Sequence, residues 1–301
     1  MRLVYRLTHK EVAHSGLARL GPAGLAGYLG SGGETTIEVY SIRLHGIIAT
    51  SVGFIEPVQL RDTISIAGGP WRSYCRWHDG PLDRRDNPLE RAYCPMEADG
   101  FCGRHKRSER ALYDACMSGS GWRSLEACRK LDKTIRTEYA VYMLDYGGQK
   151  PKVGATRLFR FRDRIAEQPH TVATLLAVTD SALQARRIET ALRESGIAVE
   201  RPRRRTQVVM GNLAAAASRL SSAAEKAARV IGVDWRGTLF RVEPPDTLEN
   251  ARTVDPRILA GARLRLSDYW GGLLVLESPQ GLVAVSEKEL LHRDSLAAED
   301  R

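Results

Sequence analysis

The stretch from 137 to 195 constrains the fold more tightly than any other part of this chain. Tyr139–Leu144 (YAVYML) has the aromatic and β-branched content of a strand, and Gly147-Gly148 supplies a turn. Lys152–Ala155 (KVGA) reads as a second short strand. Leu158–Ala166 follows as a helix, with Arg160 and Arg164 spaced i, i+4 on one face. Thr171–Val178 (TVATLLAV) is a third strand, and Asp180 or Ser181 caps a helix that runs to about Glu194 and ends at Gly196. The order is β-β-α-β-α, a compact α/β unit.

The flanking regions differ in character. The chain has 301 residues, enough for two or three domains. Residues 1–70 read mainly as β: Thr35–Leu44 alternates like a strand, Gly46–Phe54 and Thr63–Ala67 are shorter strands, and the glycine-rich 21–33 stretch is a loop or short irregular helix. Thr206–Val230 is alanine-rich and amphipathic, hence helical. Beyond Gly232, four short apolar segments (Thr238–Val242, Ala262–Leu266, Leu273–Glu277 and Leu282–Val285) predict a small terminal β unit.

Between these parts, residues 71–130 are rich in Pro, Asp, Arg and Cys and poor in apolar side chains, so they need a staple. All five cysteines fall here: Cys75, Cys94, Cys102, Cys116 and Cys128. An odd number does not read as a disulfide framework. Cys75-x2-His78, then Cys94, then Cys102-x2-His105 offers five ligands of the type zinc prefers, where a closed site needs four. The best four are Cys75, Cys94, Cys102 and His105, with His78 the contender and Cys116 a further ligand. Such a site is structural. Cys128 lies in an amphipathic helix and reads as packing.

The charge balance fits a polyanion partner, and equally a GC-rich codon bias or the Arg ion-pair networks of a heat-adapted protein. Lys plus Arg total 45 against 36 acids, a formal net charge of +9, and 37 of the 45 are Arg. The planar guanidinium suits phosphate. The run Arg201–Arg205 (RPRRR) makes Arg203, Arg204 and Arg205 candidate nucleic-acid contacts, with a solvated linker as the other reading. No apolar stretch approaches the ~20 residues of a membrane span, and MRLVYRLTHKEVAHSG lacks a secretory signal pattern, so a cytoplasmic protein without a membrane partner is expected.

Ala140-Val141-Tyr142, the nine-residue connection to Lys152-Val153-Gly154, Thr156 and the Arg-rich helix resemble the GIY-YIG nuclease fold. Its two tripeptides lie on neighbouring strands. The segments AVYML, KVGATR, RDRIAEQ and RRIETAL are closer still to the prokaryotic domain-of-unknown-function family 2797 over about 55 residues. The resemblance implies that Tyr142 activates water and that Glu189 holds a Mg²⁺ ion. The phosphate-stabilising Arg falls at Arg162 by spacing, or at Arg164, followed by Gln168, in the closer alignment. Arg157 and Arg160 add phosphate contacts. The sequence departs from the pattern at Ala140 and at Lys152, which replaces the second tripeptide's Tyr. Lys152 is better suited to binding phosphate than to acting as a base.

The expected architecture is therefore α+β and multidomain: an N-terminal β region (1–70), a zinc-stapled Cys/His module (71–136), a GIY-YIG-like α/β core (137–200), and a basic linker, helix and small β domain (201–301). The expected function is binding of DNA or structured RNA through a basic face of the core. The alternatives are a Mg²⁺-dependent endonuclease at the same site and a ribonucleoprotein or protein assembly factor that uses the zinc module. For Glu189 the competing reading is an ion pair with Arg186 or Arg193.

Overall fold

A computed structural model describes residues 2–20, 35–51, 54–77, 94–119, 121–200 and 212–297. The glycine-rich stretch at 21–33, His78 and Arg203, Arg204 and Arg205 lie outside the described residues.

The chain opens with two long antiparallel strands, β1 (Arg2–Leu20) and β2 (Thr35–Ser51). Strand β3 (Phe54–Gln59) folds back on β2, and β4 (Thr63–Ser65) follows. The short pair β5 (Ser73–Tyr74) and β6 (Pro95–Met96) precedes a helical hairpin, α1 (Glu109–Ser118) and α2 (Gly121–Thr134). The patterned segment forms β7 (Tyr139–Asp145), β8 (Lys152–Arg157), α3 (Phe161–Ala166), β9 (Val172–Thr179) and α4 (Ala182–Glu194). A 3-10 turn over Leu158–Arg160 leads into α3, so the expected single helix is split. Then come α5 (Leu213–Ile231), β10 (Leu239–Val242), α6 (Asp246–Glu249) and β11 (Arg252–Thr253). The chain closes with β12 (Arg263–Trp270), β13 (Leu273–Ser278), β14 (Gly281–Ser286), α7 (Glu287–Leu290) and β15 (Arg293–Leu296).

The class is α+β. A ten-stranded sheet runs β6-β5-β15-β1-β2-β10-β9-β7-β8, with β3 on β2, and a five-stranded sheet runs β11-β14-β13-β12-β4. The consecutive units expected from the sequence share these sheets instead of standing apart. β10 lies parallel to β2 on one side and antiparallel to β9 on the other. β15 pairs with β1, and β4 with β12. The physical reason is edge satisfaction: segments from the C-terminal third supply the hydrogen-bond partners that the N-terminal hairpin and β9 would otherwise lack.

All seven residues of β7 are buried, because the sheet is covered on both faces. Tyr139, Val141 and Met143 face a core built from α2, α4 and α5. Ala140, Tyr142 and Leu144 face a second core with Phe161 and Ile165 of α3 and with Trp270. The period of two sorts alternate side chains to opposite layers. Helix α5 presents Ala216, Ala217, Ala224, Ala227 and Ala228 to the first core, and these small side chains let the helix lie close on the strands. Among the described residues, no helix is long and apolar enough to cross a membrane.

Candidate nucleic-acid interface and metal centre

Tyr142 and Gly154 are direct cross-strand partners on β7 and β8. The Tyr142 ring lies over the glycine so closely that a Cβ there would fall 2.6 Å from the phenolic oxygen. Tyr142 is 1% exposed. Gln168, just beyond α3, donates from Nε2 to Tyr142 Oη at 2.7 Å and to the Arg164 carbonyl at 2.9 Å. With both amide hydrogens committed, its Oε1 accepts from Lys152 Nζ. Lys152, Gln168 and Tyr142 therefore form a hydrogen-bonded chain. Burial pushes the Tyr142 phenol above its ordinary value, against the opposing influence of Arg164 and the Gln168 hydrogen bond. It is a neutral phenol at neutral pH.

Arg164 pairs with Glu167 at 3.3 Å, Arg160 with the same carboxylate at 3.0 Å, and Lys10 with it at 3.4 Å. Glu167 and Lys10 were not singled out from the sequence. Glu167 carried a local signal, its i+3 spacing from Arg164, whereas Lys10 arrives from β1 and left none. Arg162 is exposed and its guanidinium lies 5.1 Å from the Tyr40 ring centre.

Two expected residues are buried. Arg157 is 1% exposed, its guanidinium 4.7 Å from the Tyr113 ring and 4.9 Å from the Phe159 ring. It is packed as a buried cation between aromatic rings and does not face phosphate. Glu189 is 4% exposed on α4, close enough to Tyr142 and Lys152 for the charges to act on one another. Its carboxylate accepts from Arg186, which also donates to the Gly119 carbonyl at 2.9 Å. The structure thus brings together Tyr142, Lys152, Arg164 and Gln168, with Glu189 ion-paired to Arg186 and within electrostatic reach of Tyr142 and Lys152.

Lys152, Arg164 and Gln168 open into a cavity of about 540 Å³ whose far side carries Trp270, Glu249 and Glu289. Its lining is of mixed charge. The cavity exists because the β12–β13 hairpin docks on the connection between α3 and β9. That hairpin turns through Gly271 and Gly272, both at positive φ (60° and 85°). Gly271 N–H donates to the Ala166 carbonyl at 3.0 Å, and a Cβ at Gly271 would fall 2.9 Å from Pro169 Cα.

A separate group lies where β5, β6 and the turn before α1 converge. Cys75, Cys102 and His105 place their donor atoms within 4.8 Å of one another and can hold a metal ion. The Sγ atoms of Cys102, Cys75 and Cys94 lie 3.2, 3.7 and 3.8 Å from His105 Nδ1. Backbone bonds set this convergence: Cys75 N–H donates to the Cys94 carbonyl at 2.9 Å, and the Cys102 carbonyl accepts from His105 and Lys106. Cys75 Sγ accepts from Cys102 N–H at 3.3 Å. Burial acts to raise the Cys102 thiol, but the His105 and Arg104 N–H groups and the neighbouring thiols outweigh it and hold it below its ordinary value. The His105 ring stacks on Trp77 at 4.4 Å. Cys116, weighed as a further ligand, is instead disulfide-bonded to Cys128, across the α1–α2 hairpin. The expectation of plain packing for Cys128 is corrected accordingly.

Comparison with protein-family models, with curated proteins and with solved structures returns no match for this chain.

Proposed function

We propose that this chain binds nucleic acid through a GIY-YIG-like β-β-α-β-α unit, with Lys152 and Arg164 meeting phosphate. The observation that carries the reading is the Tyr142–Gly154 register pair, tied through Gln168 to Lys152. Tyrosine and glycine on adjacent antiparallel strands, followed by an arginine-bearing helix, are what the resemblance requires. The strand order β8-β7-β9, with α3 between β8 and β9, supports it too. Arg162 adds an exposed cation on the same helix.

Binding is favoured over cleavage. A general base must accept a proton near neutral pH. Tyr142 is a buried phenol with its affinity for the proton raised, and Glu189 is occupied by Arg186. Lys152 already donates to Gln168. These side chains can position a phosphate but do not activate water.

We also assign structural zinc to Cys75, Cys94, Cys102 and His105. A tetrahedral ion with Zn–S near 2.3 Å and Zn–N near 2.0 Å sets sulfur and nitrogen about 3.5 Å apart. The observed S···N separations of 3.2–3.8 Å straddle that value.

The test is incubation of the full chain with labelled DNA and RNA in Mg²⁺ or Mn²⁺, then in EDTA, reading retention and products together. Salt-sensitive complexes without products are expected. Metal-dependent products that vanish in Glu189→Ala at unchanged fold would replace this reading with the endonuclease.

A further inference from the structure

Helix α2 presents a surface the core site does not use. Its buried side is consumed: Ser124, Ala127, Cys128 and Leu131 pack inward, and Cys128 is tied to α1. Its outer side carries Trp122, 72% exposed, with the Arg123 guanidinium 5.7 Å from the indole centre. At about 100° per residue, Trp122, Arg123, Glu126, Arg129, Lys130 and Lys133 fall within an arc of about 120°. Arg136 follows just past the helix end and is also exposed. Arg129 and Lys130 share Glu126 yet remain 54% and 62% exposed. Four cations against one acid leave this face positive.

We infer that the outer face of α2 is a second nucleic-acid contact, which holds a single strand by its phosphates while Trp122 stacks on a base. Charge complementarity chooses a polyanion. The exposed indole among the cations chooses one that also offers planar rings, since stacking plus a basic track is how single strands are held. Trp122 and Lys133 are about 16 Å apart along the helix, enough to span several nucleotides of a single strand. An anionic membrane is the poorer fit, because a helix that lies on lipid inserts its apolar face and that of α2 is already buried in the protein core. The face lies across the sheet from Tyr142, so it acts separately from the core site.

The test is fluorescence anisotropy of labelled dT20 and rU20 with the full chain, the triple variant Arg129→Gln, Lys130→Gln, Lys133→Gln, the variant Trp122→Phe, and Arg164→Gln. Glutamine keeps the helix propensity, so the triple variant folds. The triple variant should bind at least tenfold more weakly, with a salt slope smaller by about 2, as expected for three lost single-strand phosphate contacts. Tryptophan fluorescence should be quenched on binding by the parent chain, and Trp122→Phe should lose most of that quench. Unchanged affinity in the triple variant overturns the inference. So does capture on phosphatidylglycerol vesicles without oligonucleotide binding. If Arg164→Gln abolishes binding and the triple variant does not, the core-site reading stands and this one falls. If the triple variant abolishes binding and Arg164→Gln does not, this one stands and the core-site reading falls.

Discussion

The phenolic oxygen of Tyr142 occupies the space that a side chain at Gly154 would need, and the two residues are paired across β7 and β8. Gly154→Ala therefore forces the ring to shift and breaks its bond to Gln168. A loss of about 1–3 kcal/mol is expected, the usual cost of overpacking, and urea titration measures it. An unchanged midpoint would mean that the ring relocates freely.

The start of α4 is held by a residue from another helix. Asp132 accepts from the Ser181 hydroxyl at 2.7 Å, from Ala182 N–H at 2.7 Å and from Leu183 N–H at 3.1 Å. A carboxylate at a helix N-terminus satisfies orphan donors and favours the dipole. Asp132→Ala should cost about 1–3 kcal/mol, with Asp132→Asn recovering part of it. Thermal unfolding of the two variants side by side checks the order.

His170 makes the fold acid-sensitive. It is 1% exposed, and burial lowers its pKa from 6.5 to about 4, while Nδ1 bonds the Gln168 carbonyl at 2.8 Å. The folded chain resists protonation and the unfolded chain does not. Stability contributed by neutral His170 is thus full above about pH 6.5 and falls as pH drops toward 4, by on the order of 3 kcal/mol. Unfolding measured between pH 7 and pH 4 should show this slope, and His170→Gln should flatten it.

The Cys116–Cys128 bond closes a loop with a sequence separation of 12. Reduction, or the double Ser variant, should lower stability by about 2–3 kcal/mol. The proposed zinc site should respond differently. Cys102→Ser should lose bound zinc by native mass spectrometry while Cys116→Ser retains it, because only Cys102 lies in the ligand group.

What was legible in the sequence was what short-range pattern controls. The strands and the helix ended by Gly196 follow from alternation and turn residues within one stretch, whereas the neighbouring placement of Tyr142 and Gly154 was expected only through the resemblance. The convergence of Cys75, Cys102 and His105 follows from ligand type and spacing. The illegible parts depend on partners far along the chain. Arg157 looked like a phosphate contact because nothing nearby signals that Tyr113, from α1, will cover it. The insertion of β10 between β2 and β9 depends on edges that exist only after the hairpin forms. Cys116 and Cys128 meet because two helices fold back on each other, which a count of five cysteines does not reveal.

The central claim is that Lys152 and Arg164 meet nucleic-acid phosphate. The most direct measurement is the salt dependence of oligonucleotide affinity for the parent chain and for Lys152→Gln combined with Arg164→Gln, with folding checked by circular dichroism. The account predicts weaker binding in the variant and a log–log salt slope reduced by about 1.5–2, two phosphates' worth. An identical slope and affinity in a folded variant would contradict it.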